Sequence, residues 1–170
     1  MKKLLVIVDM QNDFVDGVLA SCGGTDAANN ARALIEKERL QGTQIVFTKD
    51  LHGENYLDTQ EGKRLPVPHC IAGTRGAELY EGLFIKDAKV FEKGAFASLE
   101  LARFVRDEQF DEVLFAGICT DICVVSNALL VKAYCPEARV AVYANACAGT
   151  TKENHLAALQ TMKNCQIDIL

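Results

Sequence analysis

Short apolar runs recur along the chain, and stretches with helical spacing separate most of them. Leu4–Val8 (LLVIV), Gln44–Thr48 (QIVFT), Ala88–Glu92 (AKVFE), Glu112–Ile118 (EVLFAGI), Arg139–Ala144 (RVAVYA) and Gln166–Leu170 (QIDIL) read as six strands. Their apolar character is continuous rather than alternating, as expected for strands covered on both faces. Thr25–Arg39, Ser98–Glu108, Asp121–Ala133 and Lys152–Lys163 carry apolar residues at helical intervals and read as helices. Ser98, Thr120 or Asp121, and Thr150 or Thr151 are the N-caps this pattern predicts, because their side-chain oxygens accept from the free N–H groups of a first turn. The β-α alternation predicts an α/β fold: a doubly wound, mostly parallel six-stranded sheet with helices on both faces.

The pattern breaks over His52–Gly76, a long, polar, turn-rich stretch ending in LPVPHCIAGTRG. A loop that long inside a compact domain is usually functional. No repeat, linker or low-complexity tract interrupts the rest, and 170 residues suit one domain spanning 1–170. The net charge of −5 argues against nucleic acid as a partner, since phosphate binding needs a basic face. The start, MKKLLVIVDM, imitates a signal peptide, but its apolar run is too short and Asp9 ends it. No later run reaches membrane-spanning length, so the expected location is the cytoplasm with no membrane partner. The seven cysteines are odd in number and include no CxxC pair, which predicts that most are buried thiols rather than disulfides or a structural zinc site.

In an open parallel sheet, ligands bind beyond the carboxyl ends of the strands. The first predicted strand leads into Asp9, and the second into Asp50 with His52 just beyond. The third ends beside Lys93, and the fourth leads into a turn holding Cys119 and Cys123. A carboxylate, a carboxylate–imidazole pair, an ammonium and a thiol thus reach one rim. Cys123 falls in the first turn of the following helix, where free N–H groups and a nearby cation lower a thiol pKa. Asp9 can take the thiol proton and return it to a leaving group. Cys119 lies in the turn, where its backbone N–H can join that of Cys123 in holding an oxyanion. Asp50, His52, His69 and Glu61 offer two imidazoles and two carboxylates, a set that suits zinc, iron or manganese. His155, in KENHLAAL, reads as an ordinary first-turn helix residue.

VDMQNDF (8–14), EKGAFAS (92–98) and GICTDICV (117–124) together resemble the isochorismatase-like cysteine hydrolases, and within them the nicotinamidase/pyrazinamidase group. The resemblance covers nearly the whole chain, in order. It implies a Rossmann-like three-layer fold and an Asp–Lys–Cys triad, which falls on Asp9, Lys93 and Cys123. It also implies a cis peptide bond between Ile118 and Cys119, with oxyanion donors at the Cys119 and Cys123 N–H groups. A divalent metal, zinc first and iron or manganese after it, is implied at Asp50, His52 and His69. Many members carry a further histidine soon after the Asp-x-His pair. Here that region has none, and Glu61 stands as the substitute. A tryptophan that often stacks on the substrate ring is missing too, which leaves Phe14 and Phe96 as ring-facing residues. The implied substrate is a small amide such as nicotinamide, and many relatives are homo-oligomers. The same triad on a vinyl-ether or ureide/carbamoyl bond, and a non-catalytic binder on the same fold, are the other readings. The presence of all three triad residues favours an enzyme.

Overall fold

A computed structural model describes all of residues 1–170. In chain order the elements are β1 (Lys3–Val8), α1 (Asn12–Val15), α2 (Gly24–Leu40), β2 (Gln44–Asp50), α3 (Gln60–Arg64), β3 (Lys89–Lys93), α4 (Leu99–Glu108), β4 (Glu112–Ile118), α5 (Val125–Tyr134), β5 (Arg139–Ala148), α6 (Lys152–Asn164) and β6 (Asp168–Ile169). The six strands form one all-parallel sheet in the order β3-β2-β1-β4-β5-β6. The order reverses between β1 and β4, the place where such sheets open a crevice at their carboxyl ends.

The continuous apolar runs are explained by the two cores. Leu5, Ile7, Ile45, Phe47 and Leu114 pack on one face against Ala28, Ala31 and Ile35 of α2. Leu4, Val6, Val8, Val113 and Phe115 pack on the other against Leu101 and Val105 of α4, Val131 of α5 and Met162 of α6. Alternate residues of the central strands β1 and β4 thus meet different helices, and both faces of these strands are buried. No helix is long and apolar enough to cross a membrane.

Ser98 caps α4 by accepting from Leu101 N–H, and Thr151 caps α6 by accepting from Asn154 N–H. The helix expected over Asp121–Ala133 starts differently. Thr120–Val124 form a π-turn, α5 begins only at Val125, and neither Thr120 nor Asp121 caps it. Both side chains are drawn away by the start of α6, Thr120 to His155 and Asp121 to Thr150. The long loop is less irregular than its sequence implies: it holds α3 and short 3-10 turns at Tyr56–Asp58 and Arg75–Ala77. β5 runs to Ala148, past the expected Ala144.

Candidate active site

Strand register assembles the site. Val8 pairs with both Thr48 of β2 and Gly117 of β4, and Asp50 pairs with Lys93 of β3. The residues that end these strands are therefore neighbours. Asp9 leaves β1 with a φ of 46°, and its N–H donates to the Thr48 carbonyl and hydroxyl oxygens at 3.2 Å each. The Thr48 hydroxyl donates back to Asp9 Oδ1 at 2.5 Å. Lys93 Nζ lies 2.6 Å from Asp9 Oδ2, 3.6 Å from Asp50 Oδ1 and 3.6 Å from Cys123 Sγ. The Lys93 ammonium is ion-paired with Asp9 Oδ2, and the Asp9 carboxyl is also the hydrogen-bond partner of the Cys123 thiol. That carboxyl is placed to take a thiol proton. Asp9, Lys93 and Cys123 are all buried.

The electrostatics correct one expectation. Burial pushes the Cys123 thiol well above its ordinary value, the Asp9 carboxylate adds to this, and Lys93 opposes it without prevailing. This balance favours the thiol over the thiolate that a helix start and a cation were expected to produce. Burial also raises Asp9, against the pull of Lys93. Burial disfavours the Lys93 charge, but Asp9, Cys123 and Asp50 together outweigh it and hold the ammonium above its ordinary value.

β4 enters the cysteine turn through Gly117, whose φ of 145° suits glycine alone, and a Cβ there would collide with the Val8 carbonyl. The Ile118–Cys119 peptide bond is cis. Cys119 N–H donates to no protein acceptor. Its thiol sits 3.4 Å from the Ser21 hydroxyl and is pushed up to about 11, mainly by burial.

The four loop residues converge as well. His52 Nε2 is 2.9 Å from Asp50 Oδ2 and 3.9 Å from Glu61 Oε1; His69 Nε2 is 3.6 Å from Asp50 Oδ2 and 3.7 Å from Glu61 Oε1. The four donor atoms lie within 4.8 Å of one another, and donors bound tetrahedrally at about 2.1 Å from an ion stand about 3.4 Å apart, so the set can close on a divalent metal. His69 Nδ1 lies 2.8 Å from the Val67 carbonyl, the arrangement that orients a ligating imidazole and leaves Nε2 with its lone pair. Burial favours the neutral form of Asp50, but His69, Lys93 and His52 outweigh it and keep the carboxyl below its usual range.

A cavity of about 570 Å³ joins the two groups. Its wall includes Cys119, Cys123, Asp50, Glu61 and His69, together with Phe14 and Phe96. Phe14 is buried with its ring 5.4 Å from that of His69, whereas Phe96 is half exposed. Leu65, just before the PVPH turn, also lines the cavity. Asp9, Lys93 and His52 lie behind the wall.

Three supporting residues were not legible in the sequence. Tyr56 is buried with its ring against both His52 and His69, at 4.8 and 5.0 Å, and its hydroxyl donates to the Leu65 carbonyl. Gln11 clamps the end of β2, accepting from Asp50 N–H and donating to the Asp50 carbonyl, each at 2.8 Å. Asn127 donates to the Cys123 and Phe96 carbonyls and accepts from Ser98 N–H. Gln11 stands within VDMQNDF but nothing in that motif assigned it this role, and nothing local marks the other two.

The family description of the isochorismatase domain matches residues 3–170. The chain belongs to the isochorismatase family. It is 36% identical to an isochorismatase family protein, PncA, of Bacillus subtilis, with 96% of each chain covered. It is 31% identical to the nicotinamidase/pyrazinamidase of Mycobacterium tuberculosis, over 99% of this chain and 98% of that one. The solved structure of a Pyrococcus horikoshii pyrazinamidase in complex with zinc superposes with a TM-score of 0.87 at 29% identity, covering 100% of this chain and 99% of the other. The chain is thus an isochorismatase-family hydrolase with nicotinamidases among its relatives.

Proposed function

We propose that this isochorismatase-family hydrolase is a cysteine-dependent amidase that converts nicotinamide, or a similar small amide, to its acid and ammonia. The observation that carries this reading is Asp9, buried and ion-paired with Lys93 at 2.6 Å, beside a buried thiol at the wall of a cavity. In the reaction Cys123 Sγ bonds to the amide carbon as its proton passes to Asp9. The carbonyl oxygen takes up the negative charge and receives the Cys119 and Cys123 N–H groups. As the tetrahedral species collapses, Asp9 gives the proton to the departing nitrogen, the C–N bond breaks and ammonia leaves a thioester. Water then attacks the thioester with Asp9 as base, the C–S bond breaks, and the sulfur regains a proton as the acid departs. Lys93 stays an ammonium throughout and keeps Asp9 ionised inside the protein.

Asp50, His52, Glu61 and His69 are the residues that would hold a divalent metal. The zinc of the Pyrococcus relative favours that ion, with iron or manganese as the alternatives. Such an ion supplies a Lewis acid that orients a heteroaromatic ring nitrogen. Phe14 and Phe96 offer the flanking ring surfaces.

The test is ammonia release from nicotinamide by the purified, metal-loaded protein, with Cys123→Ala as control. Activity in the unsubstituted protein and loss in the variant are expected. Full activity in Cys123→Ala would overturn the mechanism. Activity confined to ureides or vinyl ethers, with no effect of a chelator, would overturn the substrate assignment.

A further inference from the structure

The turn that carries both cysteines is held from outside. Thr120–Val124 closes with an i→i+5 bond, Val124 N–H to the Cys119 carbonyl at 3.1 Å, and no side chain caps its start. A turn of this class is weakly determined by its own backbone. Asn127 and Ser126 of α5 donate to the Cys123 and Ile122 carbonyls at its end, and two contacts from the start of α6 hold its beginning. Asp121 accepts from the Thr150 N–H at 2.9 Å and from the Thr150 hydroxyl at 2.6 Å. The hydroxyl of Thr120, a fully buried residue, lies 2.8 Å from His155 Nδ1 and makes no other side-chain hydrogen bond. Gly149 permits this approach: a Cβ there would stand 2.8 Å from Asp121 Oδ1 and 2.9 Å from the His155 Cβ. Burial holds the half-buried imidazole below its ordinary value, with Asp121 acting the other way, so the ring is neutral near pH 7. A neutral ring lets Nδ1 accept from the Thr120 hydroxyl.

We infer that His155 is a positioning residue for this site: through Thr120 it sets the direction of the Cys119 and Cys123 N–H groups that receive the oxyanion. Thr120 is bonded directly to Cys119 and lies one turn before Cys123, so a rotation of its backbone moves both donors. The inference rests on the cysteine-hydrolase reading above, and its test must separate the two. Displacing oxyanion donors by even part of an ångström lowers rate far more than ground-state binding.

The variants are His155→Leu, which fills the space without an acceptor, and His155→Asn, whose side-chain amide carries polar atoms close to the site of Nδ1. On nicotinamide, His155→Leu is expected to lower kcat on the order of 10- to 100-fold with little change in KM, and His155→Asn to recover most of it. Two further measurements need no turnover. Pyridine-3-carbaldehyde forms a hemithioacetal with Cys123: the sulfur bonds to the aldehyde carbon, the carbonyl π bond opens onto oxygen, and the thiol proton passes to Asp9, so that the adduct oxygen faces the donors as an alkoxide. Its affinity depends on the oxyanion donors and is expected to fall about tenfold or more in His155→Leu and to return in His155→Asn. Alkylation of Cys123 by iodoacetamide depends on the sulfur and on Asp9 as its proton acceptor, both apart from His155, and is expected to keep its rate in both variants. If nicotinamide is not a substrate, the aldehyde and alkylation measurements still decide the matter. Unchanged aldehyde affinity in His155→Leu would overturn the inference. So would equal impairment in His155→Asn, slowed alkylation in step with lost affinity, or no adduct in the unsubstituted protein.

Discussion

The two cysteines of GICTDICV differ in what they expose to a substrate. Cys123 brings a sulfur within 3.6 Å of Lys93, whereas Cys119 turns its thiol to Ser21 and leaves its N–H unpaired. Cys119→Ala keeps the backbone and is expected to retain most activity; Cys123→Ala should retain almost none. Amide hydrolysis by both variants checks the contrast, and a dead Cys119→Ala would show that its side chain matters. The raised Asp9 pKa sets a second expectation. Burial raises it, so as pH falls the carboxylate takes a proton earlier than an exposed aspartate with its value of about 3.9. The acid limb of kcat/KM therefore lies above about 4, as a property of the coupled triad rather than of Asp9 alone. A profile flat down to pH 4 would contradict it.

The loop between β2 and β3 owes its order to contacts that span it. His52 N–H donates to the Cys70 carbonyl, Ala72 N–H donates to the His52 carbonyl, and Tyr56 fills the space against both imidazoles. Tyr56 touches no substrate, yet it fixes the ring planes of two of the four candidate ligands. Changing such an outer partner typically costs about 10- to 100-fold in metal affinity. Tyr56→Ala is expected to weaken metal binding by that order, while Tyr56→Phe, which loses only the bond to the Leu65 carbonyl, costs about 1 kcal/mol of stability. Competition with a chromophoric chelator and thermal unfolding read the two effects separately.

Across the whole molecule, the site exists because β1 and β4 are neighbours at the point where the strand order reverses. Gly117 is the narrowest part of that junction. Gly117→Ala must move the Val8 carbonyl or the strand, and also hold alanine at a φ of 145°. A cost of at least about 1–3 kcal/mol follows, read as a fall in Tm of several degrees, together with loss of activity as the cysteine turn shifts. An unchanged Tm would show that the junction is softer than its geometry implies.

Much of this was legible in the chain itself. Leu4–Val8 and Glu112–Ile118 are apolar at every position because helices cover both faces, so the sheet and its layers follow from local pattern. Asp9, Asp50 and Lys93 end predicted strands, and parallel strands deliver such residues to one rim. Tertiary structure alone decided the rest. The protonation of Cys123 depends on desolvation summed over all its neighbours, which no motif carries. Glu61 meets His52 and His69 only because α3 forms within an apparently irregular loop. His155 reaches Thr120 across 35 positions of sequence, because α6 packs on the turn that follows β4. Local pattern specifies elements and their ends, while distances between side chains far apart in the chain are set only when the elements pack.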